Sequence, residues 1–154
     1  METLRELMAR HHRDGAVAWI GLRSARRAEM RAVTEAEVEP DGLAGDRGRA
    51  GKRAVTLLQA EHLPVISALC GVTATPGALR RNLLVEGINL AALRGREVVV
   101  GGASLRITGP CAPCSRMEET LGPGGYSAVR HHGGWCAEVV SPGPVALGDA
   151  VRPR

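Results

Sequence analysis

The sequence predicts a mostly β, barrel-like fold of α+β type, with a few helices inserted between short strands. Three observations carry this. Aromatic residues are nearly absent (Trp19, Trp135 and Tyr126, with no Phe), so the core must be built from Val, Leu, Ile and Ala, and small, branched side chains favour strands. Short apolar stretches follow one another at close spacing between glycine turns, as in a barrel or sandwich. The regular strand-helix alternation of a parallel α/β sheet is missing, which counts against a dinucleotide-binding or thioredoxin-like architecture.

The elements follow in order. Leu4, Leu7 and Met8 fall at helical spacing, so residues 2–11 predict a short amphipathic helix ending before Asp14-Gly15. "AVAWIGL" (16–22) reads as a buried strand, and "RSARRAEMR" as an exposed basic connection. "AVTEAEVEP" (32–40) alternates with period two and stops at the Pro40-Asp41-Gly42 turn. "GLAGDRGRAGKR" (42–53) is a glycine-rich loop, "AVTLL" a strand, and "QAEHLPVISALCG" (59–71) a helix that tolerates Pro64 only near its first turn and stops at Gly71. "LLVEGI", "REVVVGG" and "SLRIT" are short strands, "SRMEETLG" a helix, and "WCAEVVS" and "VALGDAVR" two closing strands. No repeat, linker or shift in composition divides the chain, so residues 1–154 are expected to form a single domain.

"METLRELMARHHRDG" lacks the pattern of a secretory signal, and no apolar run approaches the ~18 residues of a membrane span. The expectation is a cytoplasmic chain with no membrane association, whose four cysteines serve as thiols, ligands or catalysts rather than as a disulfide framework. The formal charge is +4 and Lys52 is the only lysine. Arginine offers a planar fork of donors suited to phosphate or carboxylate, so an anionic ligand fits. Nucleic acid ranks low, because the arginines are dispersed and few aromatic faces are available for stacking bases.

The chemistry concentrates in "ITGPCAPCSRMEE" (107–119), which sets Cys111 and Cys114 three positions apart behind prolines. With a helix starting at Ser115, Cys114 is its N-cap and Cys111 lies one turn outside; Arg116 adds a nearby positive charge, which Glu118 and Glu119 partly offset. Four readings stay open: inert buried thiols, a redox pair, a zinc site, and a thiolate that carries sulfur or binds a soft metal such as molybdenum. The zinc reading completes the pair with Cys136 and with His131 or His132, giving a zinc-stabilised binding domain without catalysis. Elsewhere, the His131-His132 pair before Gly-Gly reads as a solvated turn, with proton transfer or metal ligation as the alternative. Cys70 reads as core packing.

Taken together, "GLAGDRG", "KRAVTLLQAEHL", "LRRNLLVEGINL", "ITGPCAPC" and "GWCAEVVSPGPVALGDAV" resemble a MOSC domain, the module named for the C-terminal domain of molybdenum cofactor sulfurases. The resemblance runs in order from about Val17 to Val151 and implies a strand-rich barrel. It also implies a role with the molybdenum cofactor (molybdopterin): binding it with a cysteine on the metal, as in reductases of N-hydroxylated compounds, or accepting and passing on sulfur. The implied partners are therefore the cofactor itself and a sulfur donor such as a cysteine desulfurase, or a redox partner. The family's loop cysteine maps best onto Cys114, because "SRMEE" resembles the family's continuation; Cys111 becomes an auxiliary or resolving thiol. The resemblance further implies that "GDRG" and "LRRN" line one pocket, with Gly45 allowing close backbone approach, Arg47 and Arg81 forking onto a phosphate, and Asn82 pairing with a pterin-like ring edge or holding the loop. Asp46 is expected to cap a turn. Many relatives carry His after "GDR", where this chain has Gly48.

Overall fold

The longest strand, β1 (Gly15–Arg23), organises the molecule. The computed structural model describes residues 1–48 and 50–154; Arg49, in the glycine-rich loop, lies outside the described residues. Helix α1 (Leu4–Ala9) precedes β1 and is closed by a reciprocal capping box between Thr3 and Glu6. The chain continues through β2 (Met30–Val33), β3 (Glu35–Glu39), β4 (Gly42–Leu43), β5 (Val55–Gln59), α2 (His62–Cys70), β6 (Leu83–Glu86) and a 3-10 turn at Leu90–Leu93. It ends with β7 (Glu97–Val100), β8 (Ala103–Pro110), α3 (Ser115–Leu121), α4 (Gly125–Val129), β9 (Trp135–Ser141), β10 (Gly143–Ala146) and β11 (Ala150–Pro153).

Seven strands close a barrel in the order β11-β7-β8-β9-β5-β6-β1, sealed where Gly15 and Ala16 of β1 pair with Val151 and Ala150 of β11. Strand β2 extends the sheet along the second half of β1, and β10-β3-β4 form a separate three-stranded sheet. The fold is thus mostly β with short inserted helices, as the sequence predicts. One pairing is parallel: β5 and β6 run side by side in the same direction, joined by α2 as a crossover.

That crossover explains why β5 reads as a continuous apolar run. Leu57 and Leu83 face the barrel interior, while Leu58 and Leu84 face a second core shared with Ile66 of α2, Met117 and Leu121 of α3, and Val129 of α4. With both faces covered, an alternating pattern has no reason to appear. The same arrangement fixes the helices against one wall of the barrel.

Two single-strand expectations are corrected. Residues 32–40 break at Thr34, so that Met30–Val33 stay on β1 while Glu35–Glu39 pair with β10. Residues 145–152 break at Leu147-Gly148-Asp149, where Gly148 takes φ +85° and Asp149 Oδ2 accepts from the Ala146 amide at 2.8 Å. Both breaks hand the chain from one sheet to the other. In "SAVRHHGG", His131 and His132 lie in a turn, as the sequence predicts, directly after α4, which buries Ala128 and Val129.

Candidate functional site

Strands β8 and β9, the loop between β8 and α3, and the segment before β6 enclose a cavity of about 740 Å³. Its walls carry Arg23, Arg26, Arg47, Arg53, Arg80, Arg81 and Arg116, and among the described residues no carboxylate lines it. Cys111, Cys114 and Cys136 face the same space. Such a field of one sign concentrates small anions.

Local structure fixes the arginines. Asp46 is buried behind Arg23: its Oδ1 accepts from the Arg23 amide at 2.6 Å and its Oδ2 lies 3.5 Å from the Arg23 guanidinium. Its expected capping role is met on the backbone of another strand rather than within its own turn. The Arg47 amide in turn donates to the Arg23 carbonyl at 2.6 Å, and Arg47 itself is exposed at the cavity rim. Arg80 adopts φ +58° and donates to the carbonyls of Ala25, Arg26 and Ala28, while Arg116 donates to the Arg26 carbonyl. Burial and the neighbouring Arg116 and Arg23 charges hold the Arg80 pKa below the ordinary arginine value.

Arg81 is the most enclosed of the set, 8% exposed. Its Nε donates to the Gly133 carbonyl at 2.6 Å, while its buried Nη2 has no partner among the described residues. A buried guanidinium nitrogen without an acceptor is costly, and an anion bound in the cavity would satisfy it.

The other two residues expected at the pocket lie outside its lining. Gly45 takes φ +83° at an exposed turn, where an added Cβ would meet, among the described residues, only Leu22 and Arg31. Asn82 is fully buried: its Oδ1 accepts from both the amide and the hydroxyl of Thr56, and its Nδ2 donates to the Gly21 carbonyl. The side chain that reaches the cavity is that of Thr56.

The cysteines divide into two kinds. Cys114 is exposed and is the N-cap residue of α3, as the sequence predicts, without a side-chain capping bond. Cys111 and Cys136 are both buried, and their sulfurs lie 3.1 Å apart. The hydrogen bond between the two thiols, together with the Arg81, Arg53 and Arg23 charges, lowers the Cys136 pKa to about 6, whereas Cys111 is pushed up by that same bond and by burial. Cys111 therefore pairs with Cys136 across β8 and β9 rather than with Cys114. Cys70 is half-buried against the second core, in line with a packing role.

The four-ligand zinc set is not assembled. Cys114 and His131 are exposed, and the His132 ring packs edge-on against His62 with centroids 5.0 Å apart. Among the described residues no group of three or more His, Cys, Asp or Glu side chains is placed to hold a metal.

Nothing local in the sequence marks Arg23, Arg26, Arg53 and Arg80 as wall residues, or Cys136 as the partner of Cys111. The four arginines come from three segments far apart in the chain. The cysteine contact follows from the β8–β9 register, which sets Gly109 opposite Cys136 after a bulge.

No helix among the described residues is long and apolar enough to cross a membrane. Solved structures with the same fold include the YuaD protein from Bacillus subtilis, at 17% identity over 90% of this chain and 94% of that one, with a TM-score of 0.78. They also include YiiM from Geobacillus stearothermophilus, at 18% identity, 91% and 75% coverage and a TM-score of 0.77. YiiM from Escherichia coli follows at 19% identity, 91% and 68% coverage and a TM-score of 0.68. Among curated proteins none matches the chain. The MOSC domain model matches residues 42–152, well over half of the sequence and the whole of the cysteine loop, and on this ground the chain belongs to the MOSC domain family.

Proposed function

We propose that the domain binds a molybdopterin-type cofactor in the arginine-lined cavity and that Cys114 supplies a thiolate ligand to its metal. The observation that carries this is the wall itself: seven arginines and no carboxylate among the described residues, with the buried Arg81 Nη2 lacking an acceptor. The donor set fits a phosphate-bearing ligand, since guanidinium forks match phosphate oxygens in pairs. A thiolate fits a soft metal. Arg81 would hold the phosphate from the inner wall, and the exposed Arg53 and Arg47 from the rim. Asn82 acts one step behind, by holding Thr56 in the wall, and Gly45 by allowing the turn that carries Asp46 and Arg47. When bound, such a cofactor supplies a metal centre able to take oxygen from an N-hydroxylated compound.

Exposure of Cys114 also supports a second use of the same thiol. Its thiolate can attack the outer sulfur of a donor persulfide, forming a new S–S bond and releasing the donor thiolate, and the carried sulfur then passes to an acceptor in the cavity.

Metal and pterin analysis of protein purified under reducing conditions from a host that makes the cofactor tests the first reading. Molybdenum and pterin near one per chain, lost in Cys114→Ser, is the expected result; wild-type protein free of both would overturn it. An added sulfur mass on Cys114 would then favour the carrier role.

A further inference from the structure

Cys111 and Cys136 are left unused by that reading. Both are buried, both face the arginine cavity, and their sulfurs are in contact at 3.1 Å, although neither belongs to a disulfide. Two β-strands set the contact. The Cys111 amide donates to the Gly134 carbonyl at 2.8 Å, and Gly109 and Pro110 pair with Cys136 and Trp135. From 3.1 Å the two sulfurs need to close by only about 1 Å to reach the length of a disulfide bond.

We infer that Cys111 and Cys136 form a dithiol–disulfide couple in the cavity wall, separate from Cys114, with Cys136 the attacking thiol and small hydroperoxides its oxidants. In the first step the Cys136 thiolate attacks the peroxide oxygen. The O–O bond breaks, the alkoxide or hydroxide leaves and takes up a proton, and Cys136 is oxidised by two electrons to the sulfenic acid. Cys111 then attacks the Cys136 sulfur. The S–S bond forms, the S–O bond breaks, and the departing hydroxide leaves as water with the Cys111 proton. A dithiol reductant returns two electrons and two protons.

The surroundings suit these steps. Arg81, Arg53 and Arg23 stabilise the Cys136 thiolate, and the cavity gives a small oxidant access to a thiol that packing otherwise shields. The disulfide would span 25 positions and close a loop that contains α3, α4 and Cys114. It would also remove one negative charge from beside the cavity arginines. The couple thus links the oxidation state of the wall to the loop that carries Cys114.

The test treats reduced protein with hydrogen peroxide, caps the remaining thiols, and reads intact mass and peptide cross-links. Free thiols should fall from four to two, with loss of two hydrogen masses and a Cys111–Cys136 cross-link that dithiothreitol reverses. The same product should form in Cys114→Ser and be lost in Cys136→Ala. Should Cys136→Ala fail to fold, the wild-type cross-link map decides alone. A Cys111–Cys114 link, oxygen added to Cys136 without a cross-link, or oxidation confined to Cys70 and Cys114 would each overturn the inference. The reaction needs no cofactor, so its failure leaves the cofactor reading standing, and protein without molybdenum leaves the couple standing.

Discussion

Asn82 and Thr56 are bound to each other three times: Asn82 Oδ1 accepts from the Thr56 amide at 3.0 Å and from its hydroxyl at 3.1 Å, and the Thr56 hydroxyl oxygen accepts from the Asn82 amide at 2.9 Å. The parallel pairing of β5 and β6 begins just beyond them, at Leu57 and Leu83. Asn82→Ala strips the buried Thr56 amide of its acceptor and should cost about 1–3 kcal/mol of stability. Urea denaturation measures it. An unchanged midpoint would mean that water or a shifted backbone replaces the lost bonds.

Gly134 holds the cysteine loop against the barrel. It takes φ +93°, and a Cβ there would sit 2.2 Å from the Leu57 carbonyl oxygen, while its own carbonyl accepts from Cys111. Backbone must move to admit alanine, on top of about 1–3 kcal/mol of conformational strain. Gly134→Ala is expected to lower the thermal midpoint and to slow formation of the Cys111–Cys136 bond. Destabilisation with an unaltered rate would separate the glycine from the sulfur contact.

How far the site could be read in the sequence follows from which forces are local. The N-cap position of Cys114 and the Gly71 stop of α2 depend on residues a few positions away, and both were legible. The barrel class followed from short apolar runs and glycine turns. The split at Thr34 was not legible, because Glu35–Glu39 keeps its alternation and simply pairs with a different sheet. Nor was the parallel β5–β6 pair, since a strand covered on both faces loses the pattern that identifies it. The arginine wall and the Cys111–Cys136 contact arise from register across strands and loops distant in sequence. Spacing alone leaves the partner of Cys111 open.

Arg81 tests the anion site without any cofactor. Its Nε is held by the Gly133 carbonyl, so the side chain is pre-set, and the unused Nη2 is what a ligand oxygen would meet. A charge-assisted bond contributes about 1.5–3 kcal/mol, or roughly 10- to 100-fold in affinity. Arg81→Met should weaken binding of inorganic pyrophosphate by that factor in calorimetry, and added salt should weaken the wild type as well. Equal affinity in the two proteins would move the phosphate site elsewhere on the surface.

Cys136 supplies a pH test whose sign is set by its neighbours. The Cys111 thiol and the Arg81, Arg53 and Arg23 charges favour its thiolate, bringing its pKa from an ordinary thiol value of 9.0 to about 6. Below that midpoint Cys136 is protonated and unreactive, and above it the thiolate fraction saturates. In a variant retaining only Cys111 and Cys136, peroxide-driven loss of thiols should therefore rise with a midpoint near pH 6 and level off by about pH 8. Replacing Cys111 with Ala removes the largest stabilising contact, so capping of the remaining thiol by a small alkylating agent should then titrate at higher pH. Substituting Arg53 by Met should move the midpoint in the same direction by a smaller amount, because its charge acts on the thiolate without the hydrogen bond. A profile that rises only near pH 9 in the two-cysteine variant would show that burial outweighs the arginines, and would leave Cys136 too weakly ionised at neutral pH to lead the attack.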